Sequence, residues 1–567
     1  MRTRSTSPDS TPLACRATDP RAHHTNGKSC IAFGLAMAAT LLATSCYSPE
    51  ANREWADRAV YGILDKASER VLGESHPFVV ERPVDTLRKR LMTSREPVEL
   101  SLSQALDVAA ENSREFQSQK EALYLAALGL TTQQNNFRVR FGGGGSADAN
   151  GTGDESANVT LSDDLSAAAN TTAGTAIVAN FVQTFLRSVL NGGQFDGSSI
   201  LNLTITQPLL RGAGSHIARE PLTQAERDVV YAIRDFERFR SQFAIDTVAD
   251  YWNVVQQMAD LNNFEANYDS LVLSRKLIEE LYDAGRRTII DLGRAQQQEF
   301  SADADRVRSR NNLQNTLDSF KLTLGLPITA QVNLDSDELT SLVDRGVTEI
   351  DLSPTDAVAL CLQRRYDYRT SVDQVEDVGR RVLIAENALD FGLDFTAAIN
   401  VPSQQGSSLD LDWSQIDWSA GVDLDLFLDR IPLRNGYRSQ LITFDRTLRA
   451  REQTEDRLSA NVRRSLRNIQ AALDRFKIQT VAVELAAQRV EAATDLYAAG
   501  RVPALDKLDA QASLLQAQLS RNAAIVDYAI SRLQLMNDLE AIRLQPQGLR
   551  FDLELPMPDP QSAVAAE

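Results

Sequence analysis

Metal-binding and nucleophilic chemistry would depend most on histidine and cysteine, and this sequence contains few of either. The four histidines do not form a cluster (His23, His24, His76 and His216), and the four cysteines lack the paired spacing of a zinc site or a disulfide framework (Cys15, Cys30, Cys46 and Cys361). The sequence also has no phosphate-binding glycine loop and no nucleophile elbow. We therefore expect no enzymatic activity, no metal and no cofactor.

The most informative polar side chains lie in a segment that occurs twice. Residues 281–296 read LYDAGRRTIIDLGRAQ and residues 496–511 read LYAAGRVPALDKLDAQ, an offset of 215 positions. Each copy interrupts a long helical pattern with a short turn. Gly285 and Gly500 suit the left-handed residue that ends a helix, and Pro503 suits the first turn of a returning helix. The repetition predicts two helix–turn–helix tips and a duplicated architecture.

Long helices must position these tips. No proline or glycine occurs from 223 to 284 or from 437 to 499, and apolar residues recur there at helical spacing. About 60 residues of helix make a rod roughly 90 Å long. Each rod is expected to return through 288–325 or 503–538. Long antiparallel pairs of this kind pack as coiled coils.

Each half also contains two segments with the period-two alternation of a β-strand. They lie at about 136–146 and 199–208 in the first half, and at about 391–401 and 417–429 in the second. The alternation gives each strand one apolar and one polar face. It fits either a soluble sheet that covers a core or a membrane barrel that faces lipid. Four strands cannot close a barrel alone, so a membrane barrel would need strands from several chains.

Similar helices open the two halves, near Leu100 and Leu352, with Ser101 and Ser353 as candidate N-caps. Their offset of 252 positions exceeds that of the tips, so the first half carries extra residues. These lie in the Gly-, Ala- and Asn-rich stretch 142–193, which we interpret as a long surface loop.

Charge and the N-terminal segment indicate an exported protein. The formal net charge of −18 disfavours a nucleic-acid partner. Basic residues precede an apolar run at 31–44, which is too short for a stable membrane span and matches a signal peptide over 1–45. The sequence LATSC that ends at Cys46 resembles a lipoprotein cleavage box, which would make Cys46 a lipid-modified residue.

Over about 98–545 the chain resembles the outer-membrane efflux protein family, the TolC-like outer-membrane factors. The resemblance rests on the paired opening helices, the strand-to-helix segment LTITQPLLRGAG (203–214) and the duplicated tips. It implies a mainly α-helical fold with a membrane β-barrel portion: a homotrimer with a twelve-stranded barrel in the outer-membrane lipid, four strands per chain, and an α-helical barrel in the periplasm. It also implies a periplasmic adaptor and an inner-membrane pump as partners.

In that family, carboxylates at the helix tips line a constriction that closes the periplasmic mouth. The resemblance places Asp506 and Asp509 at the constriction, and three-fold symmetry would make each a ring that favours cations. Tyr497 matches a tip tyrosine of the closing contacts. Arg501 lies one residue before the position of the family's arginine, which is Val502 here. Asp291 parallels Asp506 in the first copy, where Arg294 replaces Asp509.

The predicted domains run in six parts: signal peptide 1–45, N-terminal lead 46–98, first repeat 99–327 with its tip at 285–288, equatorial linker 328–351, second repeat 352–540 with its tip at 500–503, and tail 541–567. The function expected is an exit duct of a tripartite efflux or type I secretion system, gated at the tips. The alternative is an adaptor-like or structural coiled-coil envelope lipoprotein without a channel.

Overall fold

The computed structural model describes residues 48–73, 78–93, 97–152, 156–188, 196–404, 409–426, 428–545 and 548–552. The predicted signal peptide and the candidate lipidation residue Cys46 lie outside these described residues. The described part of the N-terminal lead is partly helical. It contains helices α1 (Pro49–Leu72) and α2 (Leu87–Thr93), and the side chain of Ser48 caps α1 by accepting a hydrogen bond from the N–H of Ala51.

Each half then opens with two short helices in series. In the first half these are α3 (Leu102–Asn112) and α4 (Arg114–Asn135). Ser101 and Gln104 form a capping box at the start of α3. The linker between the halves contributes β6 (Val332–Leu334), which pairs in parallel with β1 (Val98–Leu100), and helix α8 (Asp337–Arg345). The second half opens with α9 (Pro354–Arg364), which Ser353 caps, and α10 (Tyr366–Asn387).

Two long helical hairpins form most of the molecule. After the single turn α5 (Ser215–Ala218), α6 (Glu220–Asp283) descends to the first tip and α7 (Ile289–Thr323) returns from it. The second hairpin comprises α11 (Ile431–Ala498) and α12 (Ala504–Asp538). The 64 residues of α6 correspond to a rod of about 96 Å. The main core lies where the hairpins meet the opening helices, around Tyr251, Phe320, Leu458 and Leu535, which are almost fully buried.

A six-stranded antiparallel sheet lies at the opposite end of the hairpins from the tips. Its order is β2-β3-β4-β5-β7-β8. The strands are β2 (Arg140–Thr152), β3 (Ser156–Asn170), β4 (Ala176–Ser188), β5 (Asp196–Pro208), β7 (Gly392–Pro402) and β8 (Asp417–Asp425).

The prediction of four strands is wrong in number. The stretch 142–193 is not a surface loop in its described part, because it completes β2 and forms the additional hairpin β3–β4. Thirteen-residue ladders with β2 and β4 supply the backbone hydrogen bonds that a loop of this composition would leave to water. The first half therefore contributes four strands to the sheet and the second half two.

The strand registers give the sheet one apolar and one polar face. One row runs across all six strands as Phe141, Ala167, Ala179, Leu203, Ile399 and Trp418. The adjacent row, which points to the other face, runs as Gly142, Ser166, Asn180, Asn202, Asn400 and Asp417. Among the described helices, none combines the length and the hydropathy that a bilayer span requires.

Candidate gate at the helix tips

The two tip turns have the same backbone construction. Gly285 and Gly500 adopt φ angles of 69° and 71°, the left-handed conformation in which glycine ends a helix. The N–H of Arg286 donates to the carbonyl of Leu281 at 2.8 Å, and the N–H of Arg501 donates to that of Leu496 at 2.9 Å. These bonds are the long-range bonds of a Schellman motif, so both helices end in the same way.

A small hydrophobic core joins the two tips to each other. Tyr497, near the end of α11, is 3% exposed and packs with Ile278 of α6, Leu292 and Ala295 of α7, and Ala504 of α12. This core is separate from the main core of the molecule. It therefore acts as a local contact between the first hairpin and the second.

Two cationic side chains cover the ring of Tyr497. The Cζ atom of Arg287 lies 4.5 Å from the ring centroid, and the Nζ atom of Lys507 lies 5.7 Å from it. Both distances are within the range of a cation–π contact. Burial raises the pKa of the Tyr497 phenol, although the Arg287 guanidinium acts in the opposite direction. Burial also lowers the pKa of the Lys507 ammonium.

The hydroxyl of Tyr497 is buried but makes no hydrogen bond of ordinary geometry with a described residue. Within one chain, this side chain therefore acts through its ring. The contact between Arg287 and Tyr497 connects the first tip to the second.

The carboxylates of the two tips lie in different environments. Asp291 forms a capping box with Thr288: its carboxylate accepts hydrogen bonds from the Thr288 N–H at 3.2 Å and from the Thr288 hydroxyl at 2.9 Å. In the second tip, Pro503 takes the place of Thr288 and has no side-chain hydroxyl. Pro503 occupies the N-cap of α12, one residue before the helical turn in which it was expected.

Asp506 and Asp509 are exposed on the first turns of α12. Among the described residues, no side chain pairs with either carboxylate, so both remain available to solvent or to another copy of the chain. Arg501 is also exposed, and its side chain makes no hydrogen bond or ion pair within the described part. Arg294, which replaces Asp509 in the first copy, is exposed on α7.

Polar contacts continue the connection between α6 and α12 above the tips. The Nε2 atom of Gln511 donates to the hydroxyl of Ser270 at 2.6 Å. Further along, the Nδ2 atom of Asn522 donates to the Asp260 carboxylate at 3.0 Å, and both of these residues are buried. Burial raises the pKa of Asp260, whereas the hydrogen bond from Asn522 opposes that rise. Two polar contacts along this seam therefore fix the second hairpin against the first.

Arg287 is a tip residue that the sequence patterns did not single out. It aligns with Val502 at the same offset of 215 that relates the two tips, so the repeat contained a signal for it. Among the described residues, no group of His, Cys, Asp and Glu side chains could hold a metal ion.

One family model matches the second half of the chain. Residues 362–539 match the family model described as outer membrane efflux protein. A comparison with curated proteins gives no match.

Solved structures show the fold over about four fifths of the chain. The outer-membrane channel CmeC of Campylobacter jejuni aligns with a TM-score of 0.57 and 16% identity, over 82% of this chain and 88% of CmeC. VceC of Vibrio cholerae aligns with a TM-score of 0.58 and 16% identity, over 77% of this chain and 95% of VceC. MtrE of Neisseria gonorrhoeae, in its open state, aligns with a TM-score of 0.53 and 14% identity, over 77% of this chain and 88% of MtrE.

These comparisons confirm the resemblance and the fold class. Residues 362–539 match the outer membrane efflux protein model, and the described part of the chain has the fold of the solved outer-membrane channels.

Proposed function

We propose that this chain is the outer-membrane exit duct of a tripartite efflux or type I secretion system, that it works as a homotrimer, and that it is closed at the helix tips. The observation that carries the proposal is the separation of two features along the same rods. A two-faced sheet lies at one end of the hairpins, and a compact contact between the hairpins lies at the other. A duct across the periplasm needs a membrane pore at one end and a closure at the other.

The sheet has the properties of one part of a membrane barrel wall. Its strands contain 9 to 15 residues, enough for the 9–11 that cross a bilayer at a tilt. Large apolar side chains on the apolar face are exposed, including Phe141, Trp418 and Val422. In water such a surface would be costly, whereas lipid would cover it. The polar row of serine, asparagine and aspartate would then face the lumen.

Oligomerisation is supported by apolar side chains that the single chain leaves exposed on its long helices. On α11 they occur at helical spacing, as Ile478, Val481 and Leu485. On α7, Phe300 and Val307 are separated by one heptad. Stripes of this kind on two different helices fit an interface in which α7 of one copy packs against α11 of the next. A closed trimer would bury both stripes.

The gate is proposed to consist of the tip residues. Asp506 and Asp509 would form two rings of three carboxylates each, because no side chain in the described part of the chain pairs with either carboxylate. Asp291 is less suited to a ring, since its carboxylate caps α7. Tyr497 and Arg287 would hold the second hairpin in the closed position. Arg501, exposed at the turn, would be available to a neighbouring copy.

Opening is proposed to be a rearrangement of the second tip when a periplasmic adaptor docks, with an inner-membrane pump behind it. No chemical step in this chain is required, so no enzymatic activity and no cofactor are assigned. We further propose that Cys46 carries the lipid that anchors the mature N-terminus. Mass spectrometry of the purified protein would detect the acyl groups, and their absence would refute that anchor.

An adaptor-like protein or a structural coiled coil is the alternative. An adaptor would have one helical hairpin flanked by the halves of sandwich domains. This chain has two hairpins whose strands join in one sheet. A purely structural coiled coil would have no use for a sheet with an exposed apolar face.

Fractionation of the native cell envelope tests the proposal. Heat-resistant trimers in the outer-membrane fraction, and co-purification of an adaptor and an inner-membrane pump after cross-linking, are the expected results. A monomer confined to the soluble periplasmic fraction would refute it.

A further inference from the structure

Rows from both faces of the sheet continue through the hairpin β3–β4. On the apolar face Leu165 and Phe181 share one row with Leu201 and Val401, and on the polar face Ser166 and Asn180 share one row with Asn202 and Asn400. The alternation is incomplete, because Val178 and Val182 of β4 lie on the polar face and Asp163 pairs with Gln183 on the apolar face. The hairpin is therefore joined to the sheet by its hydrogen-bonded ladders and by these shared rows.

The lower turn of the hairpin is also fixed to the rest of the chain. At Gly174, whose φ is 92°, a Cβ atom would lie 3.2 Å from the carbonyl oxygen of Gly212 and 3.3 Å from Pro208. This turn therefore rests on the segment in which β5 leads into the helices. The close approach requires a glycine and holds the hairpin within the sheet.

The stagger of the strands matches that of a tilted barrel. The midpoint of β2 is Ser146, and the row of paired residues through Ser146 crosses β5 at Ser198. The midpoint of β8 is Gly421, and the row through Gly421 crosses β5 at Thr206, eight residues further along β5. Eight residues correspond to a displacement of about 26 Å along the strands. The five strand spacings from β2 to β8 correspond to about 24 Å across the sheet. The resulting tilt of about 48° is close to the ~45° of transmembrane strands.

The two edges of the sheet are suited to each other. Every residue of β2 and of β8 is exposed, and the hairpin adds an even number of strands, so β2 of one copy would run antiparallel to β8 of the next. Residues 142–145 of β2 are four consecutive glycines and have no side chains. On β8, by contrast, the large side chain of Trp418 is 75% exposed. Large side chains on a neighbouring strand can cover glycines in this way. An open edge in lipid would leave backbone groups unpaired.

We propose that β8 of one copy pairs with β2 of a second copy, so that six strands per chain close a barrel that has eighteen strands in a trimer. This inference rests on the proposed function for its membrane setting and for the number of copies. Barrel diameter grows with strand number: about 27 Å for twelve strands and about 41 Å for eighteen at this tilt. The outer-membrane segment would then be wide enough for bulky cargo, and selection would occur at the tips.

The stagger predicts which residues meet across the new seam. A shift of one to two residues per strand spacing places Val422 beside residues 145–148 of the neighbouring β2. Only odd-numbered positions of β2 share the apolar face with Val422, because Phe141 and Trp418 lie in one apolar row. Val422 should therefore lie opposite Gly145 or Ala147 of the neighbouring copy.

Cysteine cross-linking tests the seam. A chain with V422C and A147C, or with V422C and G145C, should give covalent trimers on a non-reducing gel. Within one chain these positions are five strand spacings apart, about 24 Å, too far for a disulfide. The matched control is V422C with S146C, in which Ser146 faces the other side of the sheet. Equal cross-linking of the control, or no cross-linking of either predicted pair, would overturn the closure.

Labelling of alternate positions tests whether β3 belongs to the wall. In intact trimers in lipid, S166C should react about tenfold faster with a water-soluble maleimide than L165C, because wall residues alternate between lumen and lipid. N400C and I399C on β7 are the matched control pair for S166C and L165C. The unsubstituted chain, whose Cys361 is buried, gives the background labelling rate. Similar rates for S166C and L165C, with alternation kept on β7, would overturn the wider barrel. That result would leave heat-resistant outer-membrane trimers, and thus the proposed function, intact.

Discussion

The guanidinium of Arg287 lies over the ring of Tyr497, with 4.5 Å between Cζ and the ring centroid, although 210 residues separate the two along the chain. The contact joins the turn of the first hairpin to the last turn of α11. It lies beside the exposed carboxylates Asp506 and Asp509. A movement of the second tip away from the first must break it, so it is the contact whose loss should most directly favour opening.

Replacing Arg287 with alanine should raise the conductance of the purified protein in planar bilayers. A cation–π contact contributes about 0.5–2 kcal/mol, which corresponds to a roughly 2- to 30-fold shift of the open–closed equilibrium for each chain. R286A is the matched control, because it removes the same charge one residue away and Arg286 does not cover the ring. Equal effects of R286A and R287A would show that charge, and not the contact, controls the tip.

Tyr497 should act through its ring and not through its hydroxyl. Y497F should conduct as the unsubstituted protein does, since the hydroxyl makes no hydrogen bond of ordinary geometry with a described residue. Y497A removes a buried aromatic ring, a change that typically costs about 3–5 kcal/mol, and should open the channel. A conductance of Y497F as high as that of Y497A would instead assign the hydroxyl to a contact with another copy.

D260N should stabilise the protein at neutral pH. Burial raises the pKa of Asp260 in the folded state, so its charged form opposes folding, whereas asparagine keeps an acceptor for Asn522. The penalty is absent below the unfolded pKa near 4 and grows as pH rises through the higher folded pKa. Thermal unfolding should therefore show a gain in stability at pH 7 that shrinks towards pH 4. A gain independent of pH would contradict this account.

Asp377 should be essential to the packing of α10 on α6. Its carboxylate is 3% exposed, pairs with Arg227 and with Arg380 (3.0 Å), and accepts a hydrogen bond from the Tyr231 hydroxyl at 2.6 Å. D377A removes the carboxylate that the two guanidinium groups share, although Arg227 keeps Asp373 and Glu376 and Arg380 keeps Glu220. It also removes the acceptor of the buried Tyr231 hydroxyl, so it should destabilise the protein by about 1–3 kcal/mol. D305A, which breaks an exposed ion pair on α7, should cost less than about 1 kcal/mol. Chemical denaturation of the detergent-solubilised protein compares the two, and similar losses would refute the distinction.

Local signals determined much of the fold. The capping residues Ser101 and Ser353, the glycines at the tips and the breaker-free rods all act through neighbours a few residues away, so a sequence pattern can reveal them. The duplicated order of helices and strands followed from the same signals.

The extra hairpin could not be predicted in this way. Its strand β4 reads AIVANFVQTFLRS, an apolar run without period-two alternation, and β2 contains four consecutive glycines, which have little strand propensity. Both become strands because β3 pairs with each of them, and that pairing depends on contacts outside the segment itself. Arg287 was missed for a related reason, because its aromatic partner belongs to the other hairpin.

The reversal potential of the reconstituted protein in a KCl gradient tests the central claim most directly. A trimeric duct with carboxylate rings at its tips should be cation-selective, and D506N/D509N should move the reversal potential towards zero. D303N/D305N, which removes the same charge from α7 at carboxylates that pair with arginines, should retain the selectivity. Failure of the unsubstituted protein to conduct under any condition, or a selectivity that D506N/D509N leaves unchanged, would contradict a duct gated by these residues.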